Sequence, residues 1–165
     1  MVGILWQILP VADVLFGGAM LVLIVLMHGF AMRTITTHVI RRSKVIAERP
    51  AAWRADVLVA TAVFLLLSSH LVETVIWTAA LVLAHMVPSW RAAGYFAANT
   101  YTTLGYGNVV LPEPWKMLTP IIAISGLFTF GWTGSVLVDV VARTNRLRDL
   151  AENRNQSSPN PGVTP

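Results

Sequence analysis

Residues 14–32 contain no Asp, Glu, Lys or Arg. As a helix this stretch is about 28 Å long, close to the ~30 Å hydrocarbon core of a bilayer. Two more stretches are nearly as bare: residues 57–90 carry one charge, Glu73, and residues 117–138 carry none. Lipid offers no water to satisfy backbone polar groups, so such segments span as helices. The chain is 55% hydrophobic and 12% charged, against ~25% charged in soluble domains. An ordinary soluble domain and a disordered chain are both excluded. The expected fold class is an all-α membrane protein with three transmembrane helices.

No Lys or Arg precedes Arg33, and no A-x-A-like site follows the first stretch. It reads as a span rather than a cleaved signal peptide. The absence of cysteine removes disulfides and thiolate metal sites.

The basic residues are unevenly placed. Arg33, Arg41, Arg42, Lys44, Arg49 and Arg54 fall in residues 33–54, and Arg143, Arg146, Arg148 and Arg154 follow the last stretch. Only Arg91 and Lys116 lie in the connection between. The positive-inside rule puts the 33–54 segment and the C-terminus in the cytoplasm, with the N-terminus and the 88–116 connection outside. The net charge of +4 is then an affinity for lipid, with anionic lipids as partners of the 33–54 loop, and not for nucleic acid. Residues up to Pro50 also suit a short interfacial helix.

The 88–116 connection is unusual. Pro88 ends the preceding helix and Ser89 is placed to cap the next. Residues 90–101 are apolar enough for a short helix, but at about 18 Å it stops halfway through a bilayer. Non-helical backbone at that depth must be buried in protein or line a watery path. Thr103-Leu104-Gly105-Tyr106-Gly107 follows. Its two glycines permit positive φ, so successive carbonyls can turn to one side and replace the hydration shell of a monovalent cation. The Thr103 hydroxyl adds a further oxygen.

Thr-Leu-Gly-Tyr-Gly resembles the potassium-channel filter Thr-Val-Gly-Tyr-Gly. The final stretch, Ile124-Ser-Gly126-Leu-Phe-Thr-Phe-Gly131-Trp, resembles the inner helix of two-span bacterial potassium channels, with Gly126 at the gating hinge. Trp115 stands where those channels tend to have an aromatic. The resemblance covers residues 56–142 and implies a pore domain over 55–143. Its parts are an outer helix 56–87, a pore helix 90–101, a filter 103–107 and an inner helix 116–142. An N-terminal transmembrane helix, 1–32, and a basic cytoplasmic loop, 33–54, precede it. A cytoplasmic tail, 144–165, follows, its end disordered. The resemblance also implies a homotetramer in the inner (plasma) membrane, K+ as permeant ion and no cofactor. Thr103, Leu104, Gly105, Tyr106 and Gly107 would bind the ion, with Asn99, Thr102 and Asn108 supporting the filter. Leu104 replaces the usual Val, and Asn108 the usual Asp. Asn99 and Asn108 are expected to form a neutral hydrogen-bonded pair.

Other residues are less determined by pattern. His70, Glu73 and Trp77 share a helix face. Ionisable groups at membrane depth are candidates for function. A proton switch through His70, a metal site on His70 and Glu73, and a hydrogen bond tying helices together all fit. His28 and His85 are further histidines with no assigned neighbour. Gly131 is expected to serve packing, as are Ser125 and Thr129. Asp139 and Arg143 form an i, i+4 pair. No phosphate loop, H-E-x-x-H motif or nucleophile–base pair points to catalysis. The leading reading is a potassium-selective channel. The alternatives are a non-selective cation channel, a membrane metal-binding or sensor protein using His70 and Glu73, and a non-conducting partner subunit.

Overall fold

A computed structural model describes residues 11–157. The start of the expected N-terminal helix and the end of the tail lie outside the described residues. Helix α1 runs Val11–Glu48, α2 Ala52–Leu83, α3 Trp90–Tyr101 and α4 Leu118–Ser157, with a 3-10 turn at Trp115–Met117 before α4. Among the described residues every regular element is helical. Three helices are long and apolar enough to cross a membrane. Leu26, Phe30, Leu71 and Val75 point outward from them and are exposed, as apolar side chains facing lipid are.

Several expected boundaries are corrected. The basic segment 33–54 is not a loop: α1 continues through it to Glu48. Its charged residues alternate with the buried Ile35, Val39 and Ile46, so one apolar seam carries the helix past the basic residues. The outer helix spans Ala52–Leu83 rather than 56–87. The inner helix spans Leu118–Ser157 rather than 116–142, so much of the expected tail is helical. Pro120 falls in its first turn, where a missing N–H costs nothing.

Contacts divide the chain into two units. Among the described residues, one comprises 32–67 and 133–157. Its described core is Met32, Ile35, Val39 and Ile46 from α1, Ala55, Leu58, Ala62 and Leu66 from α2, and Val140, Thr144, Leu147 and Ala151 from α4. Spacings of three, four and, from Val39 to Ile46, seven keep these residues on one buried seam of each helix. Arg148 joins α4 to α2 through Asp56, with Nε 2.9 Å and Nη2 2.5 Å from Oδ1. This pair is exposed and adds little stability.

The other unit comprises, among the described residues, 11–31 and 68–132. Its core gathers Ile24, Trp77, Leu81, Met86, Val87, Phe96, Tyr101, Leu111, Leu118 and Ile122. Helix α2 ends here without a glycine. His85 takes the left-handed conformation, φ 55°. Its N–H bonds Val82 O at 2.9 Å, and the Met86 N–H bonds Leu81 O at 3.0 Å. This is the Schellman arrangement. The apolar contact that goes with it comes from Met86 and Leu81, both in the core. Ser89 precedes α3 in extended conformation, but its side chain makes no capping bond.

Asp13, in the first turn of α1, is fully buried. Its carboxylate accepts the Val14 N–H at 3.0 Å and, from across the sequence, the Met117 N–H at 3.0 Å. A carboxylate thus sits at the amino end of α4, where the helix dipole favours negative charge. Asp13→Ala leaves the Met117 N–H without its partner. It is expected to cost about 1–3 kcal/mol, read as a lower thermal unfolding midpoint in detergent. Asp13→Asn, which keeps an acceptor, is expected to lose less.

Candidate functional site

Helix α3 ends in the run that the motif singles out. Thr102 returns its N–H and its hydroxyl to Ala98 O, at 3.0 and 2.8 Å. Thr103 N–H bonds Thr100 O at 3.0 Å, and Leu104 N–H bonds Asn99 O at 2.9 Å. These two bonds form a second Schellman closure, with Thr103 at the left-handed position, φ 59°. A β-branched residue there is a backbone outlier, of the kind that clusters at functional sites. Gly105, two residues on, is also left-handed at φ 73°. Its N–H reaches Asn99 O at 3.4 Å. Residues 102–106 are exposed on this chain. Leu104 is 56%, Tyr106 78% and Val110 76% accessible.

The expected Asn99–Asn108 hydrogen bond is not made. Asn99 is 5% accessible, and its Oδ1 has no hydrogen-bond partner. Asn99 faces Gly107 instead: a Cβ on Gly107 would lie 3.9 Å from Asn99 Nδ2. Asn108 is exposed.

Behind this run lies a buried polar cluster. Its centre is the Tyr101 hydroxyl. It lies 2.5 Å from Glu73 Oε2, 2.8 Å from His70 Nδ1 and 2.6 Å from Thr129 Oγ1. His28 Nδ1 lies 2.7 Å from Glu73 Oε1. Proton bookkeeping orders the network. The carboxylate only accepts, so His28 Nδ1–H and the tyrosine O–H donate to it. With its one proton committed, the tyrosine oxygen accepts from His70 Nδ1–H and from the Thr129 hydroxyl, which shares its single proton with Ser125 O at 3.0 Å and Gly126 O at 3.1 Å. Two aromatics close the cluster. The Phe130 ring stacks on His70 with centroids 4.3 Å apart, and Trp132 meets His28 edge-on at 5.6 Å.

All four helices contribute: His28 from α1, His70 and Glu73 from α2, Tyr101 from α3 and Thr129 from α4. The shared face of His70, Glu73 and Trp77 is real, and all three are buried. Trp77 Nε1–H donates to Ser125 Oγ at 3.0 Å, so Ser125 and Thr129 are hydrogen-bonding rather than merely packing hydroxyls. His28, left without a neighbour by the sequence, joins the cluster. His85 instead caps α2. No pattern in the sequence marks Tyr101 and Thr129 as the hub and its donor.

Gly126 sits against the carboxyl end of α3. A Cβ there would lie 1.9 Å from Tyr101 O and 2.9 Å from its carbonyl carbon. The close approach of α4 to the Tyr101 backbone by itself requires glycine. A Cβ on Gly131 would meet nothing within 4 Å, so the expected packing role is not filled within this chain. Asp139 and Arg143 pair at 2.7 Å, both partly exposed.

An ion channel family model, Ion_trans_2, matches residues 58–143, just over half of the chain. The chain belongs to the ion channel family. No curated protein and no solved structure matches it. The matched region holds α2 from Leu58, all of α3, the Thr103–Gly107 run and α4 as far as Arg143. Helix α1, with His28 and Asp13, lies outside it. The protein is therefore an ion channel of the membrane with three candidate spans.

Tyr101→Phe removes the hub of the channel's buried cluster and takes one hydrogen-bond partner from each of Glu73 Oε2, His70 Nδ1 and the Thr129 hydroxyl, the last of which keeps Ser125 O and Gly126 O. It is expected to destabilise by about 1–3 kcal/mol or more. Thermal unfolding in detergent, followed by helical circular dichroism, measures it.

Proposed function

We propose that the channel is potassium-selective and assembles as a homotetramer, with K+ permeating passively through a filter of Thr103, Leu104, Gly105, Tyr106 and Gly107. The observation that carries this reading is the Thr-Leu-Gly-Tyr-Gly run directly after a twelve-residue helix that is too short to cross lipid. Left-handed residues at alternate positions, Thr103 and Gly105, support it. They break the two-sided alternation of an extended strand, as a one-sided row of carbonyls requires. The carboxyl end of α3 adds partial negative charge, which favours a cation.

Assembly is supported by what one chain leaves uncovered at the same place. Leu104, Tyr106 and Val110 are exposed, and Asn99 Oδ1 is a buried acceptor without a partner. Copies arranged around an axis cover such surface. Thr102, bonded to Ala98 O, and Asn99, whose carbonyl takes the Leu104 and Gly105 N–H groups, hold the start of the filter. The charge distribution favours an inner-membrane protein with its N-terminus outside and its C-terminus in the cytoplasm. On the basic side, His38, Arg42, Trp53 and Arg54 line a cavity of about 570 Å³. That chemistry suits the headgroup of an anionic lipid.

Liposome flux on the purified protein tests the reading, with K+ and Na+ gradients compared. The expected result is K+ flux well above Na+ flux, from particles with the mass of four chains. Gly105→Ala is the control. A Cβ there has open space but meets the positive φ of 73°, a strain of about 1–2 kcal/mol per subunit. The variant is expected to lose K+ flux while keeping its helix content and mass. Equal K+ and Na+ flux would favour the non-selective alternative, and monomers without flux would contradict a self-sufficient pore.

A further inference from the structure

The buried cluster offers a second kind of chemistry. His28, His70 and Glu73 each present a ligand atom, no two of them more than 4.8 Å apart, and all three residues are buried. We propose that these residues form a binding site for a divalent transition metal ion, Zn2+ being the best fit, that fastens α1 to α2 behind the filter run.

The donor set selects the metal. Two imidazole nitrogens and one carboxylate oxygen suit Zn2+ and its first-row neighbours. Ca2+ and Mg2+ prefer six or more oxygens. The present distances bracket the coordinated ones. Ligand bonds of about 2.0–2.2 Å put tetrahedral donor atoms roughly 3.4 Å apart. His28 Nδ1 to Glu73 Oε1 is 2.7 Å and His70 Nδ1 to Glu73 Oε2 is 3.9 Å. Shifts of about an ångström, within reach of side-chain torsions, convert one arrangement into the other. The shorter distance is that of a proton shared between nitrogen and oxygen. The metal takes the place of the Nδ1 protons, which leave or move to Nε2.

The surroundings are those of a prepared site. His70 and Glu73 are one turn apart on α2, and His28 is brought in from α1. The Tyr101 hydroxyl, 2.5 Å from Glu73 Oε2, orients the carboxylate, as outer partners in metal sites do, and its contact with His70 Nδ1 at 2.8 Å is the one the metal would replace. Phe130 and Trp132 pack on the two imidazoles and shield the site from bulk water, which strengthens its electrostatics, the fourth tetrahedral position being left to one bound water. Asp13, 15 residues before His28 in α1, is committed to Val14 and Met117 and does not compete for the ion.

Metal analysis of the full chain in detergent tests this without any measurement of ion flux, so it is independent of the permeation reading. The protein is stripped with a chelator, exposed to ZnCl2 and freed of excess. One zinc per chain is expected, with none retained after MgCl2 or CaCl2. Co2+ in place of Zn2+ should give the intense visible bands of a tetrahedral site. His28→Asn and Glu73→Gln, verified as helical, are expected to weaken zinc binding about tenfold or more. His38→Asn and His85→Asn are expected to leave it unchanged. Wild-type protein that is folded yet retains no zinc would overturn the proposal. So would zinc binding that His38→Asn or His85→Asn abolishes and Glu73→Gln does not. Should the cluster variants fail to fold, the wild-type stoichiometry and the Co2+ spectrum still decide.

Discussion

Glu73 is a carboxylate fully enclosed by protein on a helix that is long and apolar enough to cross a membrane. An unpaired charge there is prohibitively expensive, so its partners are obligatory. The partners come from three other helices: His28 on α1 directly, Tyr101 on α3 directly, and Thr129 on α4 through the tyrosine oxygen. Satisfying one side chain therefore fixes how four helices meet. The residue at its centre, Tyr101, is the last of α3. The Thr103–Gly107 run begins two residues later. The geometry of that run is thus anchored to a polar cluster whose members cannot separate without leaving buried groups unpaired.

The same unit answers what the first helix does. The ion channel match begins at Leu58, and α1 lies outside it. Yet α1 supplies two of the buried polar ties of that unit: His28 to Glu73, and Asp13 to the backbone at the start of α4. Both reach into the region that the ion channel family matches, one at the level of the polar cluster and one at the amino end of α4. Residues 11–31 of α1 are therefore an integrated part of this unit rather than an appended anchor. Gly126 adds the remaining constraint, because its missing side chain lets α4 touch the Tyr101 backbone.

Much of this was legible in the residues. Uncharged stretches announced the three long helices, and a short apolar segment between Ser89 and Thr102 announced α3. The Thr103–Gly107 run stood out as a candidate filter from five residues in that context. The face shared by His70, Glu73 and Trp77 followed from helical periodicity alone. Other features were not legible, for physical reasons. Two helices close with a left-handed residue that is not glycine, His85 and Thr103, so the usual mark of a helix end is missing. Charge density suggested a loop at 33–54, but three apolar residues at helical spacing, Ile35, Val39 and Ile46, decide the conformation. His28 meets Glu73 across 45 positions of sequence, and no local pattern records such a meeting. The pairing of Asn99 with Asn108 failed because Asn99 faces Gly107 and Asn108 faces outward.

The central claim is that the run from Thr103 to Gly107 passes K+ in preference to Na+. The most direct measurement is the reversal potential of the reconstituted protein in a planar bilayer, with K+ on one side and Na+ on the other. The account predicts a current that reverses far toward the K+ equilibrium potential. A current that reverses near zero would contradict it, since the pore would then admit both ions alike.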